Sequence, residues 1–101
     1  MSVRYRVEQN NGQDVVKEIH KVVVHTFILG DVEDPDLYAA EPLHRWENSE
    51  AGKWIMANAE DTPEWRRAMD HNIYGYRYAI IAELESKKLS EFYLRYGPVK
   101  K

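Results

Sequence analysis

Apolar and polar side chains alternate at the start of the chain, with Val3, Tyr5 and Val7 set against Arg4, Arg6 and Glu8. A period of two predicts a strand with one solvated face over residues 3–8. Asn10-Asn11-Gly12 follows, and Asn-Gly predicts a tight hairpin because both residues tolerate positive φ. Beyond it Ile19, Val22, Val23, Val24, Phe27 and Ile28 make a β-rich run, predicting a long strand over residues 18–29. Residues 14–20 read either as part of the hairpin or as a short helix, since Val15, Val16 and Ile19 share a helical face; the hairpin is preferred.

Gly30 ends this strand, and residues 31–36 read as a loop because Pro35 disfavours helix at Asp34. Pro42 suits a first helical turn. Leu43, Trp46, Trp54 and Ala57 then recur at helical spacing, interrupted by Glu50 and weakened at Gly52. This predicts one imperfect helix over about 42–59, or two short ones meeting near Ser49. Thr62-Pro63-Glu64 carries the cap and first-position proline of a second helix start, ended by Asp70-His71-Asn72.

The clearest strand is 73–85, where Tyr74, Tyr76, Tyr78, Ile80, Ala82 and Leu84 share one face. Ser86-Lys87-Lys88 reads as a turn. Phe92, Leu94 and Tyr96 alternate with Tyr93 and Arg95, predicting a last strand over 90–96, ended by Gly97-Pro98 before a lysine tail. The order strand-strand-helix-strand-strand gives one α+β domain over residues 1–101. Its sheet is antiparallel, of about four strands, with the helical segment packed on one face.

Composition narrows the function classes. At 101 residues, 44% hydrophobic and 31% charged, the chain is of ordinary globular type. It has no cysteine, which excludes disulfides, zinc thiolates, iron–sulfur clusters and cysteine nucleophiles. No apolar run follows Arg4 and Arg6, and the longest apolar stretch is broken at His25-Thr26. A signal peptide and a membrane span are therefore not expected, and a cytoplasmic protein with no membrane partner is. Net charge is −3, but residues 31–61 hold nine acidic against two basic side chains, and residues 62–101 eight basic against five acidic. An acidic middle opposes wrapping by nucleic acid, while the last forty residues leave room for a local basic face.

Catalytic constellations are missing. His20, His25, His44 and His71 form no metalloprotease pair, and no serine sits in a nucleophile elbow. No glycine belongs to a phosphate-binding loop. The acidic loop of Asp31, Glu33, Asp34 and Asp36 offers oxygen ligands for Mg²⁺ or Ca²⁺ but lacks EF-hand spacing, and reads as a solvated loop. No metal, no cofactor and no enzyme activity are expected. An interface between subunits remains the one place where His25, His44 or His71 could meet acidic residues in a site.

The most suggestive run is Tyr74-Gly75-Tyr76-Arg77-Tyr78, preceded by Trp65-Arg66-Arg67. Aromatic rings at alternate strand positions can stack bases, and arginines can reach phosphates. The run loosely resembles the aromatic ribonucleoprotein motif of RNA-recognition domains. It departs from it where Arg77 replaces a small residue and Tyr74 a basic one, and the companion motif and that family's element order are absent. The alternative use for Trp65, Arg66, Arg67, Tyr74, Tyr76, Arg77 and Tyr78 is a core edge or a protein interface. The expected function is a non-enzymatic interaction or assembly protein, working as a homo-oligomer or on a protein partner. Binding of single-stranded nucleic acid through the aromatic strand is the alternative.

Gly30 through Pro42, then Trp46, Ser49-Glu50, Gly52-Lys53-Trp54 and Thr62-Pro63 with Trp65, resemble small uncharacterised proteins of marine cyanophages and related ocean-metagenome sequences, over roughly residues 20–97. The resemblance implies a phage-encoded accessory or virion-associated protein acting in the host cytoplasm, and it supplies no catalytic residue.

Overall fold

The computed structural model describes residues 2–72 and 74–97. Its elements are β1 (Ser2–Asn10), β2 (Gln13–Leu29), α1 (Pro35–Glu47), α2 (Glu50–Asn58), β3 (Glu64–Asp70), β4 (Gly75–Glu85) and α3 (Ser86–Tyr96). The four strands form one antiparallel sheet in the order β1-β2-β4-β3. The architecture is α+β, as the alternation of β1 and β4 predicts. Ile73, Pro98 and the lysine tail lie outside the described residues.

The hairpin forms at the predicted dipeptide. Asn11 and Gly12 both have positive φ, at 54° and 77°, and Asn10 pairs with Gln13 across them. Residues 14–20 are strand throughout.

Three predicted elements are corrected. Thr62-Pro63 starts no helix: residues 64–70 pair along β4 from Glu64↔Ile81 to Asp70↔Gly75, and this non-local ladder overrides the local capping signal. Residues 90–96 are not a strand but the second half of α3. β4 already has β2 on one edge and β3 on the other, so a following strand has no edge of it to pair with. A helix instead sets Leu89 and Phe92, three residues apart, into the core and leaves Leu94 87% exposed. The helical segment also begins earlier than its sequence suggests. Pro35 opens α1, Pro42 lies inside it, and Ser49 caps α2 by accepting the Gly52 amide at 3.0 Å. The two-helix alternative, with its break at Ser49, is the one realised.

All three helices lie against one face of the sheet. Val22, Val24, Ile80, Ala82 and Leu84 from β2 and β4 meet Trp46, Ile55, Leu89 and Phe92 from α1, α2 and α3 in one apolar cluster. A β-bulge between Val23 and His25 shifts the β2–β4 register and brings Val24 and His25 toward that face.

The strands do not overlap over their whole lengths. β4 pairs with β2 only from Ile19 to Leu29, whereas β1 pairs with it from Lys21 back to Gln13. Beyond Ile19 the hairpin therefore continues without β4, Tyr5–Asn10 against Gln13–Glu18. This two-stranded arm accounts for the elongated outline, 55 × 24 × 23 Å, and for a radius of gyration of 15.9 Å, where a compact chain of this size has about 13 Å.

Candidate functional site

The sequence-predicted binding residues do not share one surface. Tyr74 precedes β4 in a turn, with φ of 51°, and is 84% exposed. Tyr76 and Tyr78 lie on the helix-covered face of β4. Tyr78 is fully buried, its ring stacked on that of Phe27 across the strand pair, 4.9 Å between centroids and 4° between planes. Trp65 packs against its other side at 5.6 Å. The Tyr78 hydroxyl donates to Asp36 Oδ1 at 2.8 Å, and Arg67 Nη1 reaches the same oxygen at 2.9 Å. Burial, and then the hydrogen bond it donates to the Asp36 carboxylate, raise the Tyr78 hydroxyl above its ordinary pKa. It thus stays a donor, pinning the start of α1 to the sheet.

The arginines are divided as well. Arg67 lies over the Tyr76 ring at 5.3 Å. Arg77 points to the open face, as strand parity predicts, and bonds Asp70 at 3.0 and 3.3 Å. Arg66 shares that open face and meets Glu64 at 3.4 Å. Each of the three cations has a carboxylate partner, so a phosphate would have to displace one.

His20 makes a contact that its sequence position did not announce. Its Nε2 lies 3.1 Å from Ser86 Oγ and 3.1 Å from Glu18 Oε1, while Nδ1 is buried with no partner among the described residues. A serine–histidine–carboxylate relay needs the acid on Nδ1, where it orients the ring while Nε2 takes the serine proton. Here both groups compete for one nitrogen. What the contact does is seat the first turn of α3 at the base of the arm, helped by Ser86 Oγ on the Glu18 carbonyl at 3.4 Å. His25 stacks on Trp46 at 6.1 Å and lies near Phe27; burial lowers its pKa.

Among the described residues no three His, Asp or Glu side chains are grouped to hold a metal ion, and no helix is long and apolar enough to cross a membrane. A cavity of about 160 Å³ lies by Asp31, Met69, Tyr74 and Tyr76 at the end of the sheet. A wider, open one of about 590 Å³ lies where β1 begins, lined by Ser2, Lys21, Val22, Val23 and Tyr93 among others. Neither is lined by His20 or Ser86.

The most distinctive surface is on the arm. Directly paired residues share a face, so Val3 with His20, Tyr5 with Glu18 and Val7 with Val16 line the side on which the helices lie. Past the helices no described residue covers it: Tyr5 is 68%, Val7 63% and Val16 61% exposed. The reverse face is a lattice of ion pairs. Arg6 bonds Glu60 and Glu8 at 2.6 and 2.5 Å, Lys17 reaches Glu8 and Glu85 at 3.3 and 3.5 Å, and Arg4 meets Glu83 at 2.6 Å. Ile19, at the register positions of Arg4 and Glu85, is completely buried among them. The hydrogen bond from Lys17, with the nearby charges of Arg6 and Lys17, holds the Glu8 carboxyl below its ordinary range.

Alternation along β1 identifies this apolar stripe from sequence. Its exposure does not follow from sequence, because it depends on where β4 stops. Comparison with protein-family models, with curated proteins and with solved structures finds no match.

Proposed function

We propose that this chain is a non-enzymatic interaction protein that assembles as a homo-oligomer through its β-arm. One observation carries the reading: Tyr5, Val7 and Val16 stand together, more than half exposed, on a ribbon of only two strands. Such a ribbon is marginally stable in water by itself and gains when its apolar face is covered. The ion-paired reverse face supports the same use, since it stiffens the arm without leaving a strong net charge to recruit a charged partner.

Nucleic-acid binding through the aromatic strand has less support. Of its three rings Tyr78 is buried, and Arg66, Arg67 and Arg77 are engaged with Glu64, Asp36 and Asp70. The resemblance to cyanophage proteins suits an accessory or virion-associated role and adds no residue to it.

Light scattering tests the reading on the wild type and on a variant with Tyr5→Ser, Val7→Thr and Val16→Thr. The expected result is a mass that rises above the 11.9 kDa of one chain with concentration in the wild type and stays at that value in the variant. A wild type that remains a single chain up to ~1 mM, beyond the range of useful association, overturns it.

A further inference from the structure

At the end of the sheet away from the arm lies the small cavity of about 160 Å³. The last row of the helix-covered face forms one side of it. Leu29, Tyr76 and Met69 are register partners across β2, β4 and β3 and share that face; Tyr76 and Met69 line the cavity. Asp31, just past β2, and Tyr74, just before β4, line it from the connecting segments. Gly75 lets these segments meet, because a Cβ there would stand 2.3 Å from the Leu29 carbonyl oxygen. Tyr74 holds its ring here despite a left-handed backbone, with φ of 51°, which bulky side chains rarely adopt. Strained residues of this kind cluster at active sites and ligand clamps.

The lining selects a ligand by its chemistry. Two phenol rings and a thioether give an apolar, electron-rich wall, with no lysine or arginine and with His71 as the one described lining side chain able to carry positive charge. Asp70 is held by Arg77 at 3.0 Å, whereas Asp31 has no partner among the described residues. Arg67, one row further in and over the Tyr76 ring, is balanced by Asp36 at 2.9 Å. An anion would therefore meet two carboxylates against one imidazole. Tyrosine rings and a thioether are poor company for a hard metal ion, which wants several oxygens. A primary ammonium is strongly hydrated and must replace that water with acceptors. A quaternary ammonium has no N–H to satisfy. Its methyl groups pack on rings and sulfur, and its charge is drawn to the ring faces and to Asp31. Size agrees, since a cavity of about 150 Å³ holds a group as large as benzene. We propose that this cavity binds a trimethylammonium head group, with Tyr74 and Tyr76 as its aromatic walls and Asp31 as its counter-charge. The site is separate from the arm and does not rest on the assembly reading.

An NMR titration of the isotope-labelled full chain with choline, against sodium chloride at equal concentration, tests the site. The expected result is a saturable shift of the Asp31, Tyr74 and Gly75 amides, with a dissociation constant on the order of 1 mM. The uncharged isostere of choline, carrying a tert-butyl group, is expected to bind at least about threefold more weakly. Tyr74→Gly removes the ring and suits the positive φ, so its Tm is expected not to fall. Its affinity for choline is expected to drop at least about threefold, and that of Asp31→Asn about twofold. Phosphatidylcholine vesicles separate two sources of the same head group. Sedimentation with the vesicles, reversed by choline, assigns it to a lipid; binding of choline without the vesicles assigns it to a free compound, and both results uphold the site. The proposal is overturned by the lack of a saturable shift up to about 50 mM choline, by equal affinity for the uncharged isostere, or by unchanged binding in folded Tyr74→Gly.

Discussion

Gly52 shows how much a single position can carry. It accepts no side chain, because a Cβ there would overlap the carbonyl oxygen of Trp46 where α2 folds back on α1. Its sequence context suggests only a weakened helix. Gly52→Ala is expected to destabilise the fold by on the order of 3 kcal/mol, measured by urea unfolding, against the gain of up to about 1 kcal/mol that an alanine brings to an unhindered helix. Tyr78→Phe keeps the ring stack on Phe27 and removes the bond to Asp36; about 1 kcal/mol of stability is expected to go with it, in the same measurement. His25 sets an acid-side response. Its pKa is lowered by burial below the ordinary 6.5, so the unfolded chain binds the proton more readily. Stability is then complete above about pH 6.5 and falls as pH drops toward the folded value. His25→Phe should remove that part of the fall, seen as a smaller difference in Tm between neutral and mildly acid buffer. Glu8, Glu64 and Asp70, also lowered by their cationic partners, contribute only further down, as pH passes through the carboxylate range.

At the scale of elements, legibility followed locality. β1, the Asn11-Gly12 turn, β2 and β4 were readable because alternation and turn chemistry agree within a few residues. α3 was misread because Phe92 and Tyr96 satisfy two periods at once, alternate positions on a strand and a four-residue step on a helix. The decision rests with β4, whose two edges are already occupied. β3 was hidden for a related reason: Thr62-Pro63 is a sound helix start, and only the ladder to residues 75–81 outweighs it. The candidate site divides along the same line. The stripe of Val3, Tyr5 and Val7 is visible in the sequence as a strand face, whereas its freedom from cover is set by where β4 and the helices end. The tyrosine run misleads in the opposite sense, since Tyr78 is drawn under α1 by Asp36, more than forty residues away.

For the whole molecule the governing fact is a body with one apolar cluster and an arm that this cluster does not reach. The body explains stability. The arm, with an apolar face and an ion-paired one, explains why the chain extends to 55 Å instead of closing on itself. Small-angle X-ray scattering over a concentration series tests this most directly. At low concentration the radius of gyration should approach the 15.9 Å of the single chain, allowing for hydration. On concentration the radius of gyration should rise, with scattered intensity at zero angle approaching twice that of the single chain. An unchanged radius and intensity at every concentration would contradict the account, as would a compact dimer with the bodies side by side and the arms free.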